Sequence, residues 1–240
     1  MRSDVLIVGR PGRAPRIECR GGLAARRTDT DTVHLVAAAA TPLGGDTIAV
    51  RVIVEPGARL RVRSAAATIA LPGAADRESH SCWELEVAGD LDVDPQPTVV
   101  AADSRHLSQI RLRLSGAGRV RLRERVQIGR CDERDGFWSG SLYADAGGSP
   151  LLRHRVEIGA GSVADDELGA PLACVSELRY PDNTFGDPVA PLGTLLVLAA
   201  GGCLTTWQGH RLTSGVSCRR PSGSGVTVAG LAAPGSLSPA

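Results

Sequence analysis

Polar and apolar residues alternate along much of the first two thirds of the chain. The clearest case is RVRLRERVQI (119–128): Arg119, Arg121, Arg123, Arg125 and Gln127 share one parity, and Val120, Leu122, Val126 and Ile128 the other. Successive side chains of a strand point to opposite faces, so this segment reads as a strand with one basic and one apolar face. The same alternation recurs in TIAVRVIV (47–54), ARLRVRS (58–64), CWELEV (82–87), QIRLRL (109–114) and LLRHRVEI (151–158). Clusters of Gly, Pro, Asp and Ser separate these runs, which predicts an all-β chain of short strands. Gly57, Gly89, Gly118 and Gly148 each precede an alternating run, at intervals of 32, 29 and 30 residues. Regular spacing of this kind suggests strands stacked as rungs of a solenoid. Beyond residue 160, SVADDELGAPLACVSELR (162–179) is compatible with a helix, and PLGTLLVLAA (191–200) with a short buried helix or strand. The expected fold is therefore mainly β, with β-helix-like stacked strands and a few helices toward the C-terminus. It is expected to form a single domain over 1–219, followed by a flexible Ser/Gly/Pro/Ala-rich tail over 220–240.

Several polar residues fall in the apolar register. Glu124 does so in the segment above, and His154 does so among Leu152, Val156 and Ile158. Asp46 extends the parity of Ile48, Val50, Val52 and Val54, and Leu60 and Val62 lead to an inward Ser64 with Thr68 four residues on. A buried ionised group without a partner is costly, so such positions need pairing, water or a function. Two readings are open. A bulge or an internal Arg partner would make Glu124 structural. Alternatively, these groups line a wet internal passage, where carboxylate and imidazole are suitable ligands for a divalent metal.

Composition narrows the chemistry. Of 240 residues 42% are hydrophobic but only 3% aromatic, so the core is expected to be built from Val, Leu, Ala and Ile. The formal net charge of +1 provides no global field for nucleic acid or an anionic membrane. The chain has no Lys, which excludes a Schiff-base or P-loop lysine. Its six cysteines contain no C-x-x-C pair, so isolated buried thiols in a reducing compartment are expected rather than a disulfide framework or a zinc site. The N-terminal apolar run is too short for a signal peptide, and PLGTLLVLAAGGCL (191–204) is too short to span a bilayer, so a soluble cytoplasmic protein is expected. No P-loop, nucleophile-elbow, zincin or EF-hand motif occurs. His80 and His106 stand in polar stretches and are expected at the surface. The arginine faces are expected to meet solvent or a partner; with few aromatics beside them they do not form a nucleic-acid platform.

The segment TPLGGDTIAVRVIVEPGARLRVRSAAAT (41–68) closely resembles the signature of the urease accessory protein UreD (UreH) family: a Gly-Gly-Asp turn, a strand, a Pro-Gly-Ala turn and a Ser/Thr-Ala-rich end. The resemblance continues through LDVDPQPTVV (91–100) and RVRLRERVQIGRCDERDGFWSGSLYADAGGSPLLRHRVEI (119–158). It implies a non-enzymatic β-helical protein that joins UreF-like and UreG-like accessory proteins on the urease apoprotein. No cofactor is tightly bound in this reading; Ni²⁺ passes transiently through an internal tunnel. Asp46 matches the acid of the Gly-Gly-Asp turn, Glu124 an acidic position before the Gly-Arg turn, and Thr68 a small hydroxyl residue. Parity and the resemblance together point to Asp46, Glu124 and His154 as nickel contacts, with Ser64 and Thr68 along the passage and Gly44, Gly45, Gly57 and Gly129 as turn glycines. The family's aromatic and basic run is replaced here by IALPGA (69–74), and His154 and Pro97 stand where acids are common. Two other readings are a structural adaptor without metal transit and a β-solenoid carbohydrate-active enzyme; the latter would require paired carboxylates in a groove.

Overall fold

A computed structural model describes residues 1–131, 133–163, 165, 170–181 and 193–212. The first sheet is built from β1 (Arg2–Arg10), β2 (Arg13–Arg20), β5 (Thr47–Val54), β8 (Glu78–Val87), β11 (Arg105–Leu114), β13 (Phe137–Ala146) and β14 (Ser149–Gly159). Facing it, the second contains β3 (Leu23–Arg27), β4 (Thr32–Ala37), β6 (Arg59–Ser64), β9 (Asp90–Val93), β12 (Arg119–Ile128), β15 (Ala173–Tyr180), β16 (Thr194–Val197) and β17 (Cys203–Gly209). Two short strands, β7 (Thr68–Ala70) and β10 (Thr98–Val100), extend the second sheet beside β12. In the first sheet the spatial order is β14-β13-β11-β8-β5-β1-β2, and in the second β16-β17-β15-β12-β9-β6-β4-β3.

The centre of each sheet is parallel and the margins are antiparallel. β1, β5, β8, β11 and β13 run parallel, with β2 and β14 antiparallel at the edges. In the second sheet β4, β6, β9 and β12 run parallel, and β3, β15, β17 and β16 are added antiparallel. Three successive rungs cross from the first sheet to the second: β5 to β6, β8 to β9 and β11 to β12. Each crossing turns at a glycine, Gly57, Gly89 or Gly118. A Cβ on Gly89 would strike the carbonyl oxygen of Ala58, and one on Gly118 that of Val87, the backbone of the rung below. At Gly89 and Gly118 only glycine lets the corners stack this closely, and at Gly57 it supplies the positive φ of 74°, which explains the spacing along the chain. Gly148 differs, because it turns the antiparallel hairpin β13–β14.

Alternation then fills the space between the sheets. Val50, Val52, Leu60, Val62, Leu85, Leu91, Leu112 and Val120 are buried in the main core. A second, smaller core holds Val100, Val126, Ile128, Trp138 and Ile158. Among the described residues no helix is present, and none is long and apolar enough to cross a membrane. Residues 173–180, expected as part of a helix, form β15, because their residues pair with β12 on one side and β17 on the other. Residues 194–197 form β16, which is exposed rather than buried. The expected tail (220–240) lies outside the described residues. Cys174 and Cys203 are buried as expected, but Cys19 and Cys82 are half-buried and Cys131 is exposed.

Candidate functional site

The two cores are separated where the second sheet is interrupted. β12 is continuous, whereas its neighbours are broken: its first half pairs with β9, its last residues Val126–Ile128 with β10, and β6 and β7 are divided in the same way. Pro95, in the β9–β10 connection, has no N–H to donate to a ladder. Residues 123–125 face this gap. Behind it lies a cavity of about 410 Å³, whose exposed lining includes Val36, Ala37, Ala65–Ala67, Ile69 and Gln96. Its walls are mostly apolar, including Ile48, Trp83, Ile110, Leu122 and Trp138, and its polar floor carries Ser81, His106, Ser108 and Glu124.

Glu124 projects inward, as its parity requires, and accepts a hydrogen bond from Ser108 Oγ at 2.7 Å. Protein encloses it deeply, yet part of its surface stays open because it borders the cavity. Burial raises its pKa to about 7, and the Ser108 bond opposes that rise. Glu124 also borders a second chamber of about 20 Å³, shared with His154, Ser176 and Leu204. One carboxyl group thus stands between a wide vestibule and a water-sized chamber. His154 Nε2 is buried there without a hydrogen-bond partner, and burial lowers its pKa. A neutral imidazole with a vacant ring nitrogen can accept a proton or donate a lone pair to a metal.

His106 was expected at the surface and instead lines the vestibule, 3% exposed. Its Nδ1 is 2.9 Å from Ser79 Oγ, and burial, aided by His80, lowers its pKa to about 4. The signal was present in RHLSQIRLRL (105–114), where His106, Ser108, Ile110, Leu112 and Leu114 share a parity.

Ser64 and Thr68 line the cavity. Ser64 Oγ donates to Ala66 O at 2.9 Å and accepts from Gln96 N at 2.8 Å, tying the two broken connections together. Asp46 is 4% exposed and does not line the cavity. Its carboxylate accepts from Thr41 Oγ1 and Leu43 N, each at 2.9 Å, and pairs with the Met1 ammonium. Burial pushes its pKa up, but the Leu43, N-terminal and Thr41 hydrogen bonds outweigh burial and hold it below the ordinary value. Asp46 therefore fixes the Gly44-Gly45 turn, and through Thr41 it touches the cavity wall. The structure brings Glu124 and His154 to one chamber and leaves Asp46 outside it. Among the described residues no three His, Cys, Asp or Glu side chains converge as a metal-holding group.

The outer face of the second sheet carries an ordered charge ladder. Asp90 lies between Arg59 and Arg119, and Asp92 between Arg61 and Arg121. Asp92 pairs with Arg63 at 2.6 Å and with Arg121 at 3.2 Å. Asp94 is shared by Arg125 at 2.9 Å, Arg123 at 3.4 Å and Arg121 at 3.6 Å. Glu177 on β15 pairs with Arg123 and Arg179. Burial raises the Glu177 pKa, but the arginines outweigh it and hold the carboxyl below its ordinary value. RLRVR (59–63), DLDVD (90–94) and RVRLR (119–123) spell this ladder in the sequence.

These features define a class: a two-sheet, solenoid-like β protein whose interior is opened by a break in one sheet and lined there by a few polar groups. A family model described as "UreD urease accessory protein" matches residues 9–227. The urease accessory protein UreD 1 of Saccharopolyspora erythraea is 36% identical over 197 residues, covering 78% of this chain and 75% of that protein. UreD of Frankia alni is 40% identical over 189 residues, covering 75% and 59%. UreD 3 of Streptomyces griseus is 35% identical over 205 residues, covering 80% of each. The chain belongs to the UreD urease accessory protein family. Each of these relatives is named as an accessory protein of urease.

Proposed function

We propose that this chain assists urease maturation in the cytoplasm, as scaffold and nickel conduit in a complex with UreF-like and UreG-like proteins on the urease apoprotein. The observation that carries this reading is the position of Glu124 between two cavities, with Ser81, His106 and Ser108 beside it in the vestibule and His154 in the chamber. A conduit needs ligands loose enough to release their cargo. A lone carboxylate or imidazole, completed by water, exchanges a divalent ion more readily than a closed Cys/His cage. In this reading Glu124 and His154 are sequential contacts for Ni²⁺, Ser64 and Thr68 shape the entrance, and Asp46 anchors the wall beside it.

A purely structural adaptor is the second reading. The placement of Asp46 in a turn network favours it. The carbohydrate-enzyme reading requires paired acids, and among the described residues Glu124 is the one carboxylate lining the vestibule. One experiment separates the first two: co-express the chain with UreF-like, UreG-like and urease subunits, then measure nickel-dependent urease activation. A Glu124→Ala protein that assembles normally but activates poorly supports the conduit. Full activation by an assembled, folded Glu124→Ala protein leaves only the adaptor.

A further inference from the structure

The vestibule that would admit a cation is rimmed by cations. Of the described charged side chains lining it, Arg123 and Arg125 flank the break in the sheet, where both pair with Asp94, and Glu124 points inward between them. Around that break Arg63, Arg121, Arg123 and Arg125 are served by Asp92, Asp94 and Glu177, and Glu177 is also held by Arg179. Among the described residues these five arginines meet three carboxylates, which leaves positive charge in excess at a largely shielded rim even with Glu124 counted against it. Arg125 registers that field: burial lowers its pKa, Asp94 opposes the fall, and Arg123, Arg121 and Arg63 add to it. Its Nη2 is committed to Asp94 at 2.9 Å and to Pro95 O at 2.6 Å, so the excess charge is fixed in place at the gap. Beside it the rim is apolar and exposed, through Ala65, Ala66, Ala67 and Ile69.

We propose that the arginine rim makes the vestibule anion-preferring in the isolated chain and is the docking site for an acidic, partly apolar segment of a protein partner. The carboxylates of that segment would offset Arg123 and Arg125 while its apolar side chains cover Ala65–Ala67 and Ile69. Free divalent cations are thereby kept out until the partner is seated. The guard function rests on the conduit reading; the anion preference and the docking do not.

Trp83 and Trp138 line the vestibule and report on it directly. A Trp207→Phe protein leaves these two as its only tryptophans, and its fluorescence is quenched with iodide, cesium and neutral acrylamide at constant ionic strength. One net charge about 10 Å from the quencher in water changes a monovalent ion's local concentration about twofold in each direction. Screening at about 0.1 M, where the Debye length is also about 10 Å, leaves an expected iodide-to-cesium ratio of about two after normalising for quencher efficiency on free tryptophan. Arg125→Gln should bring the ratio toward one, and so should high salt, which tests the rim without any substitution. A short oligoglutamate peptide should bind and abolish the iodide preference, whereas oligolysine should not. Equal or greater quenching by cesium in the unaltered rim overturns the anion preference, and an inert oligoglutamate overturns the docking. Either result leaves the activation assay for Glu124 untouched, so failure of the rim and failure of the conduit are distinguishable.

Discussion

Replacing Glu124 with Gln should change the pH dependence of stability in a direction fixed by the structure. Glutamine keeps the shape and can still accept the Ser108 hydrogen bond, but it cannot ionise. In the folded protein Glu124 titrates at about 7 against an ordinary 4.5, so between these values the folded state holds more protons than the unfolded one. Stability therefore falls as pH rises through that window and is constant above it. A gap of about 2.5 pH units corresponds to about 3.4 kcal/mol; access to the cavity and its water reduces this to about 1–2 kcal/mol. The native profile conceals the effect. His106, lowered to about 4 from 6.5, gives the opposite slope over nearly the same window, so the two nearly cancel between pH 4.5 and 6.5. The difference between Glu124→Gln and the native chain removes the His106 contribution. Urea unfolding from pH 4 to 8 should show the variant's advantage near zero at pH 4, growing to about 1–2 kcal/mol by pH 7 and level thereafter. A difference that is flat with pH, or that shrinks as pH rises, would refute the enclosed, uncompensated carboxyl.

His106→Asn should show the mirror image, with its relative gain growing as pH falls from 6.5 toward 4, in the same urea series. Asp46→Asn removes the charge that organises the turn and should cost about 1–3 kcal/mol, while urease activation per folded molecule is unchanged; a selective loss of activation would return Asp46 to the passage. Gly118→Ala should cost more than about 2 kcal/mol, because the new Cβ meets the Val87 carbonyl and neither backbone can yield. Gly116→Ala, with open space around it and φ of 56°, should pay only the left-handed strain of about 1 kcal/mol. Leu60→Ala, at a position with 0% exposure, should cost about 2–5 kcal/mol in the same assay.

Parity made most of the sandwich legible. The inward positions of Glu124 and His154 follow from two-residue periodicity alone, and the corner glycines mark the rungs because close stacking has no other solution. His106 was missed through segmentation: reading a strand from Gln109 cut off the residues that carry the inward parity. Asp46 shares the same inward parity, yet its neighbours satisfy it locally, which periodicity cannot reveal. The helix expected in 162–179 failed at Ala173–Tyr180 because β15 is decided by its partners on both sides, not by its own pattern. An internal passage was expected from the inward polar groups, but the position of the cavity was not readable, since it depends on two connections, Ala65–Ala67 and Asp94–Pro97, breaking at matching heights in successive rungs.

That coincidence explains why the ladder and the cavity belong together. A parallel sheet with a gap forfeits backbone hydrogen bonds along it and invites the flanking strands to slide closed. Here Asp94 stands at the break and is gripped by Arg121, Arg123 and Arg125 from the unbroken strand, while Ser64 Oγ receives Gln96 N from the facing connection. The charges on the outside thus hold the connections apart from the strand that carries Glu124 on the inside. Because alternate residues of one strand supply both functions, one stretch of backbone places the arginine face and the inward carboxyl together. The four-residue stretch Arg123-Glu124-Arg125-Val126 therefore reads as one device: two clamps facing out, an enclosed acid facing the gap, and an apolar residue that closes the second core beneath it.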